Sequence, residues 1–126
     1  MSVQLNHTIV HSKDKHESAA FFAHIMDLEV APEFGPFVPV VLSNDVTLDF
    51  ATLPAESITA QHYAFLVTEA EFEGIFGRIQ ADGLDYWADP HQKQPGEINR
   101  NDGGRGVYFL DPSGHALEAI TRPYGG

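Results

Sequence analysis

Glu118 stands in the run Ala116-Leu117-Glu118-Ala119-Ile120, where each of its neighbours is apolar. A carboxylate there needs a hydrogen-bonding partner, an opposite charge or a metal ion, because burying it alone is costly. Three other residues pose the same question: His7 opening "HTIV", His62 opening "HYAF", and Asp49 between Leu48 and Phe50. Side chains alternate across a strand, so each residue can be given a face. Around His62, the residues Tyr63, Phe65 and Val67 form the apolar set that a covering helix needs, which leaves His62, Ala64 and Leu66 opposite. Thr8 and Val10 oppose His7, Ile9 and His11. Val46, Leu48 and Phe50 oppose Asp49, and Leu117 and Ala119 oppose Glu118 and Ile120. Two imidazoles and one or two carboxylates on faces turned away from helices suit a divalent ion of the Fe, Mn, Ni, Co or Zn kind. Taken singly, each of the four reads more plainly as a solvated strand residue satisfied by local hydrogen bonds. His11 shares the face of His7 and could act as acid, base or substrate donor, since its charge switches near neutrality. A rim histidine bonded to solvent is the alternative.

What joins the four is that the chain is written twice. A strand signal at 3–11 is followed by Asp14-x-x-Glu17, a capping box, and by the helical face Ala20, Phe21, Phe22, Ile25, Met26. That helix should end near Asp27–Leu28. Prolines 32, 36 and 39 leave only short, edge-like strands at about 37–43 and 46–52, joined by the turn Ser43-Asn44-Asp45. The pattern then restarts: a strand at 61–67, the capping box Thr68-x-x-Glu71, and the helical stripe Phe72, Ile75, Phe76, Ile79, closed by Asp82-Gly83. Strands at about 105–110 and 116–121 complete it. His7 precedes Leu28 by 21 residues and His62 precedes Leu84 by 22, while "TLDFAT" closes the first half as "ALEAIT" closes the second. His7 and His62 thus occupy equivalent places, as do Asp49 and Glu118. The longer second half takes up its excess in the polar stretch 88–104, whose length points to a functional or disordered loop. The reading is α+β, with two β-α-β-β-β modules at about 3–53 and 60–122.

Composition narrows the function. Eighteen acidic residues against seven Lys and Arg give a net charge of −11, which repels the nucleic-acid backbone and disfavours strongly anionic substrates. The absence of cysteine excludes disulfides, thiolate ligands and a Cys nucleophile. Apolar runs such as 37–42 are too short to cross a bilayer, so no membrane role is expected. Residues 1–5 show no basic region followed by an apolar stretch, so the default address is the cytoplasm.

With "NHTIV", "HYAF" and "GVYFLDPSGHALE" in place, the chain resembles the vicinal oxygen chelate superfamily, which includes glyoxalase I, bleomycin-resistance proteins, fosfomycin-resistance thiol transferases and extradiol dioxygenases. The likeness runs from "LNHTIV" to "ALEAITRP". It implies a single glyoxalase-like domain over 1–126, whose paired modules form an open, curved, eight-stranded mixed sheet around a metal-binding cleft. It also implies a two-histidine, one-carboxylate set at His7, His62 and Glu118. Asp49 falls where glyoxalase I carries a fourth, carboxylate ligand, one methylene longer. Tyr108, ten residues before Glu118, falls where the resemblance associates an active-site tyrosine whose phenol bonds a metal-bound oxygen; a packed strand aromatic is the other reading.

The departures bear on the reaction. Where glyoxalase I has an Arg four residues after its first histidine, this chain has His11, which weighs against glutathione. Where the fosfomycin enzymes have a Thr, it has Ile9. Extradiol dioxygenases have a His just before the Tyr, and 103–107 contains none. The expectation is a metal-dependent enzyme, lyase, isomerase or dioxygenase-like, acting on a small oxygenated substrate that is neutral or aromatic. In it, Glu118, Tyr108 and His11 would take the catalytic roles. The alternative is a non-catalytic protein of the bleomycin-resistance kind, whose cationic ligand the negative charge would attract. A homodimer is expected, because two modules leave sheet edges and apolar surface that family members cover with a second copy. The site then lies within one chain or pairs His7 and Asp49 of one copy with His62 and Glu118 of the other.

Overall fold

The computed structural model describes residues 2–125, which divide into two compact units on either side of the Thr59–Ala60 junction. In the first, strand β1 (His7–Ser12) leads into helix α1 (Lys15–Met26), then strands β2 (Val38–Val41) and β3 (Thr47–Thr52). The Asp14 carboxylate caps α1 by accepting from the His16 and Glu17 amides, which satisfies two amides that have no partner inside the helix. Asp27, in the left-handed region at φ 58°, closes it. β3 lies between β1, parallel to it, and β2, antiparallel to it. Only β2, which contains Pro39, is an edge-like strand as expected; β3 is central. Val10, Leu48, Phe50, Val38 and Val40 are buried, as are Ala19, Phe22 and Ile25 of α1. The Phe22 and Phe50 rings, 5.9 Å apart, join helix to sheet.

The second unit repeats the plan with one strand more: β4 (His62–Leu66), α2 (Glu69–Ala81), β5 (Tyr86–Trp87), β6 (Gly106–Leu110) and β7 (Ala116–Ile120). Its sheet order is β4-β7-β6-β5, with β4 and β7 parallel and the other pairs antiparallel. Thr68 and Glu71 form the complete reciprocal capping box that the T-x-x-E spacing predicts. Phe72, Ile75 and Ile79 of α2 are buried, as are Val107, Phe109, Leu117 and Ala119 on alternate positions of β6 and β7. Tyr86 packs edge-on against Phe76 of α2, ring centroids 5.2 Å apart, which fixes the helix-covered face of β5.

The fold is α+β as the repeat predicts, with seven strands among the described residues in place of eight. The missing strand belongs to the first unit and is reduced to a bridge between Val30 and Val40. Its segment runs into Pro32, Gly35 and Pro36, and prolines lack the N–H that a ladder needs. The 88–104 loop is built rather than structureless. Asp89 accepts from the Lys93 and Gln94 amides, and Asn99 pairs with Gly106 and donates its side-chain amide to the Ala88 carbonyl. Gly106 permits this, since a Cβ there would meet the Asn99 amide at 2.8 Å. Among the described residues no helix is long and apolar enough to cross a membrane.

Candidate active site

In the second unit the sheet face turned away from α2 carries the candidate residues. The register sets them out: His62 lies opposite Ala116, Ala64 opposite Glu118, Glu118 opposite Tyr108, and Tyr108 opposite Trp87. One rung therefore reads Ala64, Glu118, Tyr108, Trp87 across four strands, with His62 a diagonal neighbour of Glu118. That diagonal is short enough for a long side chain to cross. His62 Nε2 lies 3.1 Å from Glu118 Oε1, and the His62 and Tyr108 rings stack at 5.9 Å with 26° between their planes. Glu118 is buried, at 9% exposure, and His62 is exposed.

The contact between this pair needs a proton or a metal ion. His62 Nδ1 is 3.2 Å from the Ala116 carbonyl and Nε2 is 3.1 Å from Glu118 Oε1; both oxygens only accept, so a neutral ring, with one N–H, can satisfy one of the two. With that proton on Nδ1, Nε2 turns its lone pair towards the lone pairs of Glu118 Oε1. Two acceptors at that separation need a proton or a metal ion between them. The donor set, one imidazole nitrogen and one carboxylate oxygen, fits the divalent ion expected from the sequence. Among the described residues no group of three or more His, Cys, Asp or Glu that could hold a metal ion comes together.

Tyr108 completes the cluster. Its hydroxyl donates to Glu118, and its pKa is raised beyond the usual phenol range, first by burial, then by this bond and the Glu118 charge, with smaller effects from Tyr124 and Asp89. It therefore stays protonated, a standing donor on this face.

The first unit places its candidates in the same register. His7 lies opposite Thr47 and Ile9 opposite Asp49, so the carboxylate again faces the residue two beyond the histidine. His7 and His11 are exposed and Asp49 is half-buried; Thr8 and Val10 turn the other way, as alternation predicts. Among the described residues Asp49 makes no ion pair with His7. Instead His7 Nδ1 lies 2.7 Å from Asn6 Oδ1, which also places the ring proton on Nδ1 and leaves Nε2 as the free donor atom.

Sequence reasoning missed the oxygens that orient both histidines, the Ala116 carbonyl and the Asn6 amide, and it missed Trp87. Asn6 adjoins His7 and could have been noticed; the other two depend on strand pairing. His115 stands beside the Ser113-Gly114 turn, a place that by itself suggests an exposed residue, yet it is 1% exposed. Its Nδ1 accepts from the Gln61 amide at 3.0 Å, and its ring meets Tyr63 edge-on at 5.8 Å. Asp111 Oδ1 accepts from the Ser113 and His115 amides and tightens the turn that buries it.

No family model matches the chain. It is similar to the glutathione transferase FosA of Serratia marcescens, with 30% identity over 125 residues covering 94% of this chain and 80% of that protein. The chain belongs to the vicinal oxygen chelate superfamily. Among solved structures it is similar to the oxidase ChaP-H2, with 60% identity and a TM-score of 0.97 over 100% of this chain and 98% of that one. The fosfomycin resistance protein FosX of Mesorhizobium loti, 19% identical with a TM-score of 0.72 over 98% of this chain and 96% of its own, shares the superfamily fold. Transferase and oxidase are both enzymes, and this chain is an enzyme of the superfamily.

Proposed function

We propose that this chain is a divalent-metal-dependent oxidase acting on a small, neutral or aromatic substrate that carries two neighbouring oxygens. The observation that carries the metal reading is the His62–Glu118 pair: an imidazole nitrogen and a carboxylate oxygen stand 3.1 Å apart on one sheet face, while the other ring nitrogen is held at 3.2 Å from the Ala116 carbonyl. His7, oriented in the same way by Asn6, is the third ligand of the set, and Asp49 is a fourth and weaker one. The 60% identity to a protein named an oxidase favours oxidation over isomerisation or thiol addition. With glyoxalase I's arginine replaced by His11, the cationic partner for glutathione is absent from that position.

An iron, manganese, nickel, cobalt or zinc ion held there would supply a Lewis acid for the two substrate oxygens and, in the case of iron, a site for O₂. The protein's own residues do the rest. Tyr108, protonated throughout the working range, donates to a substrate oxygen in place of Glu118. His11, on the face of His7, takes the proton that a substrate hydroxyl gives up on binding. The negative surface discourages anionic competitors.

A second copy is part of this reading. Ile9 and Val41 in the first unit, and Leu66 and Leu110 in the second, are exposed on the faces that carry the candidate residues, and a homodimer would cover them. Sedimentation analysis should give about twice the chain mass.

Metal content of protein purified without chelator, beside a His62→Ala variant, tests the centre. The expected result is near-stoichiometric metal that the variant lacks. Oxygen uptake by the iron-loaded protein with catechols then tests the reaction. Retention of full metal by the variant would sink the ligand assignment, and a metal-loaded protein that consumes no O₂ with any vicinal diol would sink the oxidase reading.

A further inference from the structure

Trp87 is the only tryptophan in the chain, and the register puts it on the rung of the proposed centre. It lies opposite Tyr108, which lies opposite Glu118. Tyr86 packs against Phe76 of α2, so Trp87, its neighbour in an extended strand, projects from the other face, the one that bears Glu118 and Tyr108. Trp87 is half-buried, leaving part of the indole open. Two strand spacings of roughly 4.8 Å each separate Trp87 from Glu118 along the rung. Tyr108 lies between them on the rung, and its ring stacks on the His62 ring with 26° between the planes. Exposed Leu66 and Leu110 and half-buried Ile120 occupy other positions of the same face.

We propose that Trp87 is a specificity-determining residue, a stacking platform about 10 Å from Glu118 that selects substrates whose flat, conjugated body extends past Tyr108 when their oxygens are held at the metal. This rests on the reading of His62 and Glu118 as the metal-binding pair. An indole offers a large rigid face at little entropic cost, and no charged group is needed to hold a neutral ring there. A substrate that ends at Tyr108 gains nothing from Trp87; one that reaches further is bound more tightly.

The test compares 2,3-dihydroxynaphthalene, catechol and cis-1,2-cyclohexanediol by calorimetry on protein loaded with redox-silent zinc and on metal-free protein. Wild type, Trp87→Phe and Trp87→Ala are measured, with thermal midpoints confirming that each variant is folded. In the wild type the naphthalenediol should quench tryptophan fluorescence, which in this chain reports Trp87 alone, and the cyclohexanediol should not. Trp87→Ala should weaken naphthalenediol binding by about tenfold, the scale of one aromatic pair. Trp87→Phe should weaken it by about twofold, and catechol should change by less than about twofold in either variant. Zinc content should be unchanged in both variants, as Trp87 is no ligand. Equal naphthalenediol affinity in wild type and Trp87→Ala overturns the proposal, even if binding depends on zinc and the metal reading stands. Failure of the naphthalenediol to bind either form of the wild type also overturns it. Trp87-dependent binding by a protein that takes up no zinc supports the platform while the ligand assignment fails.

Discussion

The His62–Glu118 face and the His7–Asp49 face are built on one register, with the carboxylate in each opposite the residue two beyond the histidine. They differ by a methylene. Glu118 crosses the diagonal and meets His62 Nε2 at 3.1 Å; Asp49 is shorter and makes no such pair among the described residues. The second difference lies behind the pair. Where the second unit buries His115, three residues before the carboxylate, the first buries Val46. The Gln61 amide is thereby tied to an imidazole, whereas in the first unit it is the Asn6 side chain that serves its neighbour, His7. A repeated backbone plan fixes where the histidine and the carboxylate stand, but side-chain length and the buried polar partner decide in which half the two meet.

The comparison breaks most visibly at the ligands. Glu118→Gln and His62→Ala should each lower metal affinity by more than about 100-fold, beyond the cost of losing an outer partner, read by competition with a chromogenic chelator. Loss of less than tenfold would mean that the assembled pair is structural. Next in size is the buried imidazole. His115→Leu leaves the Gln61 amide without its acceptor and should cost about 1–3 kcal/mol in urea unfolding; an unchanged midpoint would show that the contact contributes nothing. Lengthening the short half sharpens the contrast. Asp49→Glu should tighten metal binding and Asp49→Asn should loosen it, each by about tenfold, and indifference to both would remove Asp49 from the set.

Smaller effects concern helix caps and tyrosines. Thr68→Ala, at a complete capping box, should cost about 1 kcal/mol, and Asp14→Ala about the same, by urea unfolding. Tyr108 and Tyr63 both hold their protons above the usual phenol range. Burial leads in each, followed by Glu118 for Tyr108 and Asp111 for Tyr63. Unfolded tyrosines ionise near about pH 10, so the stability these two contribute is present below that pH and is lost as pH rises above it. In an alkaline titration followed at about 295 nm, two of the four tyrosines should ionise later than the others, and Tyr108→Phe should remove one of the late ones. Ionisation of all four in one step near about pH 10 would contradict the burial argument.

Much of this was open to a reader of the sequence, because it depends on local rules. Alternation assigned His7, His62 and Glu118 to the faces they occupy, since a strand's period of two leaves no other choice once one face must meet a helix. The caps at Asp14 and Thr68, the closures at Asp27 and Gly83, and the turn at Ser43-Asn44-Asp45 follow from residue chemistry within a few positions. Where prediction faltered, long-range pairing was in control. β3 is central because it pairs with β1 across α1. The eighth strand is missing because Val30 finds only one partner before the prolines intervene.

By itself, then, the chain determined its twofold plan, its α+β class and the residue types available for a divalent ion. Only the tertiary structure decided that Glu118 and His62 meet, that the Ala116 carbonyl lies against His62 Nδ1, that His115 lies inside, and that Trp87 stands on the rung of Tyr108. Each of these depends on a register between strands distant in sequence, and register is set by how two apolar faces share one core, which no local pattern encodes.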